Sequence, residues 1–236
     1  QLARRNAAAE HETVLRGGNV KHSERPKSIG VLLVRKFSRI SVREQMKVIV
    51  GKALDTRTPQ FIEDMRFIEF SPYWNVPRSI LLQEVLPALR RDARYLERQG
   101  MEIVQGDGDD GWVVPLDAAA LAGLAAGRLR VRQRPGPGNA LGLVKFLFPN
   151  DNSVYMHDTP TKGLFARDRR DFSHGCIRVA DPVGLALWVL SRQRTPWTPT
   201  GLDVALHGAD NVPVELDAPI DVVIFYLTAA VLPEDA

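Results

Sequence analysis

Ser173-His174-Gly175-Cys176-Ile177-Arg178 holds the single cysteine of this 236-residue chain. A lone cysteine is most often a small buried hydrophobe. This one lies in a polar, turn-like stretch, which suits reaction better than core packing. A cysteine attacks as its thiolate, and a free pKa of about 8.5 leaves only a few per cent ionised at neutral pH. A base is therefore needed nearby, and two histidines qualify. His157 ends the strand-like run Ser153 to His157, and a strand end is a rigid platform. His174 is two residues from Cys176, where extended backbone turns both side chains the same way. His157 is favoured as the base, with His174 structuring the loop.

The neighbours add chemistry. Gly175 allows close backbone approach, so amides around Gly175 and Cys176 can face a developing oxyanion. Arg178 can grip a substrate carboxylate as a fork, or brace the loop. A zinc site built from His157, His174 and Cys176 lacks any paired ligand spacing such as CxxC or HExxH. No metal or cofactor is expected. His11, His22 and His207 have no neighbours that suggest chemistry and read as surface residues.

Working outward, β-branched runs predict strands at Ile29 to Val34, Met46 to Val50 and Arg66 to Phe70. Ser71 to Pro77 is an aromatic loop bracketed by prolines. Residues 78–99 carry apolar positions at helical spacing up to Gly100, and Pro87 predicts a kink or two helices. Asp107 to Gly111 is a turn, and Asp117 caps a short helix through Leu124. Arg134 to Asn139 is too rich in proline and glycine for regular structure. Strands resume at Val144 to Phe148 and Ser153 to His157. Asp181-Pro182 opens a helix running to about Ser191, and strands at Val212 to Leu216 and Asp221 to Leu227 finish the chain. This is a mostly β domain with a helical insertion between about Pro77 and Arg130. Residues 1–27 read as a poorly ordered lead-in, and 28–236 as the domain.

Composition is that of an ordinary globular protein, 44% hydrophobic and 25% charged. No apolar run reaches the length needed to span a membrane. The chain starts at Gln1, so it is expected to be a piece of a longer or processed protein. Net charge is +3. The excess is local: residues 1–58 hold thirteen Lys or Arg against five Asp or Glu, a difference of +8. Such a segment can attract a polyanion, but it reads better as a solvated surface or linker. No interleaving of aromatic and basic residues supports nucleic-acid binding.

His157, a loop, and then Ser173 to Arg178 resemble the signature of the L,D-transpeptidase catalytic domain, the YkuD domain. Asn75-Val76-Pro77, Pro135 to Gly142, Val144-Lys145-Phe146, His157 to Pro160 and Leu164 to Arg170 resemble its large Gram-negative branch, typified by YcbB. The resemblance covers about residues 46–228. Val48-Ile49-Val50-Gly51-Lys52 matches the branch, whereas Ser28 to Arg43 departs from its usual opening hairpin.

The resemblance implies a β-sandwich with an inserted helical capping subdomain at about 78–130 and one helix after the catalytic motif. It implies a periplasmic enzyme, anchored by any segment upstream of this chain, that joins peptidoglycan tetrapeptide stems in 3→3 cross-links and releases D-alanine. L,D-carboxypeptidase hydrolysis at the same site is the alternative. Cys176 is then the nucleophile and His157 the base, with the Asp158 carbonyl orienting the imidazole. The amides near His174, Gly175 and Cys176 form the oxyanion hole. Tyr155 and Trp74 line the substrate channel, with Asn75, Ser173 and Arg178 as further binding residues. Inhibition by carbapenems follows from the same resemblance.

Overall fold

The computed structural model of the chain describes residues 13–16, 28–34 and 46–227, with side chains from Met46 to Tyr226. The strands are β1 (Thr13–Arg16), β2 (Ser28–Val34), β3 (Val48–Gly51), β4 (Phe61–Phe70), β5 (Trp74–Asn75), β6 (Met101–Gln105), β7 (Trp112–Val114) and β8 (Arg130–Gln133), followed by β9 (Val144–Leu147), β10 (Met156–His157), β11 (Asp171–Ser173), β12 (Ile177–Val179) and β13 (Val212–Leu227). One nine-stranded sheet has the order β1-β2-β13-β4-β9-β10-β12-β3-β11, and a four-stranded sheet has the order β5-β8-β6-β7.

The large sheet builds the main core. β3 is buried along its whole length, which explains its unbroken β-branched run: a strand covered on both faces has no polar side. β4, β9, β12 and β13 bury Ile68 and Phe70, Val144 and Phe146, Ile177 and Val179, and Val222 and Ile224 at period two. The helix Pro182–Leu190, α5, closes over this core with Leu185, Ala186 and Val189. It starts as expected: Asp181 accepts from the Gly184 amide at 2.9 Å and Pro182 occupies the first turn. The mostly β sandwich class and the helix after the catalytic motif are both present.

Some boundaries differ from expectation. Thr13–Arg16, inside the expected lead-in, pairs antiparallel with β2; the rest of residues 1–27 lies outside the described residues. The two final strands form one, because β13 continues through a register irregularity between Glu215 and Ile220. Gln193 ties that irregularity down, donating to Glu215 O at 2.9 Å and accepting from Asp217 N at 2.8 Å. The run Ser153 to His157 pairs as a strand only at Met156–His157. Helix α6 (Pro199–His207) was not anticipated. Its signal was present, since Thr198-Pro199 repeats the capping logic of Asp181-Pro182 and the Thr198 hydroxyl accepts from Gly201 N at 3.0 Å.

The insert carries the expected helices and the four-stranded sheet besides. They are α1 (Arg78–Ile80), α2 (Leu86–Arg91), α3 (Tyr95–Arg98) and α4 (Ala118–Ala126), with a π-turn over Leu81–Val85. Pro87 sits in the first turn of α2. It has no N–H to give and its ring crowds the preceding turn, which accounts for the widened π-turn before it. Asp117 caps α4, accepting from Ala120 N at 2.6 Å, and Gly127 ends it at φ 76°. A second core of Val76, Ile80, Leu81, Val85, Ile103, Leu124 and Val131, among others, holds the insert together.

Candidate active site

Cys176 occupies the turn between β11 and β12. The turn lies beside β10, because β10 and β12 pair in parallel with Met156 opposite Ile177 and His157 opposite Arg178. Tertiary pairing, not the intervening loop, therefore brings His157 to the cysteine strand. The Ile177 amide also donates to the Tyr155 carbonyl at 3.0 Å, which fixes the register on the other side of the sulfur.

The turn is held from within and from outside. Ser173 Oγ accepts from Gly175 N at 3.2 Å and donates to Cys176 O at 2.5 Å. Gly175 adopts φ 122°, a conformation that costs other residues dearly. Thr58 Oγ1 donates to Gly175 O at 2.7 Å and accepts from Gly51 N at 3.0 Å. Thr56 Oγ1 donates to Ser173 O at 2.9 Å. These two threonines were not foreseen; nothing local in Asp55 to Pro59 announces a contact 117 positions away. The Gly175 amide is thus engaged by Ser173 Oγ, and Ser173 shapes the turn.

His157 is buried, and its Nδ1 lies 2.5 Å from the Asp158 carbonyl. A carbonyl only accepts, so Nδ1 carries the proton and Nε2 keeps the lone pair. The Asp158 carboxylate is also buried. It accepts from Leu143 N at 2.9 Å and Thr159 N at 2.6 Å, and pairs with Lys162. It reaches Leu143 because Gly142 has φ 62° and no side chain; a Cβ there would sit 2.3 Å from Asp158 Oδ2. Asn139 fixes that loop in turn, donating to Pro72 O at 3.0 Å and Arg134 O at 2.9 Å and accepting from Leu141 N at 2.7 Å. The proline-glycine segment is thus a shaped brace behind the histidine.

The electrostatics favour a neutral imidazole. Burial first, then the positive charges of Arg178 and Lys145, push His157 down to about 3. Burial pushes the Cys176 thiol up, opposed by hydrogen bonds from the Tyr155 backbone and side chain and by the charges of Lys145 and Arg178. Arg178 Nη1 reaches Thr161 Oγ1 at 3.4 Å, while its buried Nε has no hydrogen-bond partner. Such an atom is available to an incoming anion.

Trp74 packs against the insert core and Asn75 bonds Arg130, so both are bound into the insert's own structure. His174 is exposed and turned to the insert, with Nε2 2.9 Å from Glu84 Oε1. His207 is exposed at the end of α6 beside Asp203; His11 and His22 lie outside the described residues. Lys145 also faces the site, packing its ammonium on the Tyr155 ring at 4.9 Å. The strand alternation of β9, with Val144 and Phe146 in the core, already turns it to the other face.

The model of the YkuD L,D-transpeptidase catalytic domain matches residues 31–214. The chain belongs to the L,D-transpeptidase catalytic-domain family. The match runs from within β2 to the start of β13 and includes every residue of the site above. A Haemophilus influenzae protein named as an inferred L,D-transpeptidase is 31% identical over 187 residues, which is 78% of this chain and 37% of that protein. The chain therefore spans little more than a third of that relative's length. No helix among the described residues is long and apolar enough to cross a membrane.

Proposed function

We propose that this L,D-transpeptidase-family domain forms 3→3 cross-links between peptidoglycan stems through a thioacyl-enzyme on Cys176. The observation that carries the reading is the pairing of β10 with β12. It sets a histidine with a free Nε2 and a guanidinium with an unused Nε beside a cysteine turn braced by four side-chain bonds. His157 takes the thiol proton as Cys176 attacks the carbonyl of diaminopimelate in a donor tetrapeptide. The His174 and Cys176 amides receive the oxyanion. The protonated imidazole gives its proton to the departing D-alanine, and an amine of an acceptor stem then resolves the thioester. Arg178 binds a stem carboxylate. The insert and the motifs Asn75-Val76-Pro77 and Pro135 to Gly142 support membership of the YcbB-like branch, and with it a periplasmic location and acylation by carbapenems.

The test is mass spectrometry of the protein incubated with disaccharide-tetrapeptide. Cross-linked dimer is expected, with loss of D-alanine, and Cys176→Ala abolishes both the product and the acyl-enzyme. Tripeptide without dimer would move the assignment to L,D-carboxypeptidase hydrolysis, and turnover by Cys176→Ala would overturn the thiol mechanism.

A further inference from the structure

Pro149-Asn150-Asp151-Asn152-Ser153 is a run of turn-forming residues between β9 and β10. It holds an uncommon backbone. Ser153 has φ 54°, and Ser71 is the one other non-glycine residue with positive φ among the described residues. A side chain disfavours that conformation, so it persists only where the surroundings impose it.

Asn150 imposes it. Its Nδ2 donates to Phe148 O at 2.6 Å and to Val154 O at 2.7 Å. Its Oδ1 accepts from Asn152 N at 3.0 Å and from Val154 N at 3.1 Å. The Ser153 amide closes the turn on Asn150 O at 3.2 Å. Two residues on, the Tyr155 carbonyl accepts from Ile177 N at 3.0 Å, which ties the segment to the strand that follows the nucleophile. The Ser153 carbonyl is left facing Cys176, whose Sγ lies 3.9 Å away, within hydrogen-bond reach for sulfur. The cysteine side is fixed as well, by Ser173 Oγ on Cys176 O and Thr58 Oγ1 on Gly175 O. Ser153 is exposed, so its side chain fills no space in the core and its backbone carries the contact.

We propose that Ser153 is a positioning residue for the nucleophile: its carbonyl, turned to the sulfur by the left-handed backbone, accepts from the Cys176 S–H and holds the resting enzyme as an oriented neutral thiol. The proposal rests on the thiol mechanism above. A carbonyl oxygen accepts from S–H and repels a thiolate, so the contact favours the protonated form. The other groups acting on the sulfur are Tyr155 before β10, Lys145 on β9, itself paired with Glu69 at 3.1 Å, and Arg178 on β12. Burial raises the thiol and outweighs these groups, which favour the thiolate. At attack the proton turns about the Cβ–Sγ bond from Ser153 O to His157 Nε2, and the sulfur pair forms the S–C bond. The C–N bond to D-alanine then breaks, and that nitrogen takes the proton from His157.

The lone cysteine gives the test one assignable signal, a single S–H stretching band in the infrared. In the parent protein that band is expected below the frequency of an alkanethiol in an apolar solvent. Ser153→Val places a β-branched residue where φ must be positive. It is expected to move the band up and to lower the midpoint of pH-dependent alkylation by iodoacetamide by about half a pH unit. Ser153→Asn, a residue that adopts the left-handed backbone readily, restores both. A parental band at the free-thiol frequency overturns the assignment, whether or not the variants fold. So does a midpoint that falls in Ser153→Val while the band stays put, the mark of a site merely loosened. Neither measurement uses substrate. The expected band and midpoint with no peptidoglycan product at any pH would uphold Ser153 and count against the proposed reaction instead.

Discussion

His174 Nε2 and Glu84 Oε1 are 2.9 Å apart, joining the residue two positions before the nucleophile to the π-turn of the insert. The sequence separates them by 90 positions, and His174 looked like a competitor of His157 for the base. The contact ties the cysteine turn to the insert through His174. The widened backbone that presents Glu84 precedes Pro87, so a helix irregularity legible as a kink acquires a place in the site.

Removing that contact should affect catalysis more than stability. Both partners are exposed, 41% and 53%, and solvent-exposed ion pairs contribute only about 0–1 kcal/mol. For Glu84→Ala the expected result is a melting temperature within about 2 °C of the parent and a several-fold lower kcat. A loss of kcat that simply follows a loss of folded protein would refute a positioning role.

Thr58 should behave oppositely. Its buried hydroxyl makes two bonds, to Gly175 O and from Gly51 N. Thr58→Val keeps the shape and strands both backbone groups, a cost of about 1–3 kcal/mol for each buried group left unpaired. Chemical denaturation should show that destabilisation, and turnover should fall because the oxyanion amides ride on the same turn. Equal stability in the two proteins would mean that Thr58 is not bracing the turn.

Stability should decline toward acid through His157. Its pKa in the folded state is about 3, against 6.5 for the free side chain. Between those values the unfolded chain binds a proton that the folded chain does not, so unfolding free energy increases with pH across that window. Lowering the pH from about 6.5 toward 3 then weakens the fold by about 1.4 kcal/mol per pH unit from this group. His157→Gln should show a shallower acid limb by that amount in urea titrations; identical slopes would show that His157 is not buried as a neutral base. The activity profile should likewise lack an imidazole limb near 6.5 and rise toward alkaline pH with the Cys176 thiol, whose pKa burial raises.

Much of the site was legible because it is written locally. Ser173 to Arg178 is contiguous, Gly175 marks a backbone of positive φ, and Asp181-Pro182 marks the helix that follows. Strand existence was equally readable, since β3, β4, β9, β12 and β13 bury apolar side chains in patterns that a sheet imposes. The boundaries were not. Ser153 to Tyr155 has strand composition yet bends away, with Ser153 at φ 54° and its carbonyl 3.9 Å from the Cys176 sulfur. The aromatic residues Trp74 and Tyr155 looked equivalent as channel walls. Only packing separates them, one joining the insert core and the other lying between His157 and Lys145.

By itself the sequence determined the mostly β class and the family, and it singled out a candidate nucleophile and base, because short motifs and period-two burial are properties of neighbouring residues. Tertiary structure alone decided the rest. It set His157 opposite Arg178, bound the Gly175 amide to Ser173, braced the turn from Thr56 and Thr58, and brought Glu84 to His174. The physical reason is the same in each case. Strand pairing and buried hydrogen bonds join atoms far apart in the chain, and a histidine's charge depends on what burial and distant cations surround it.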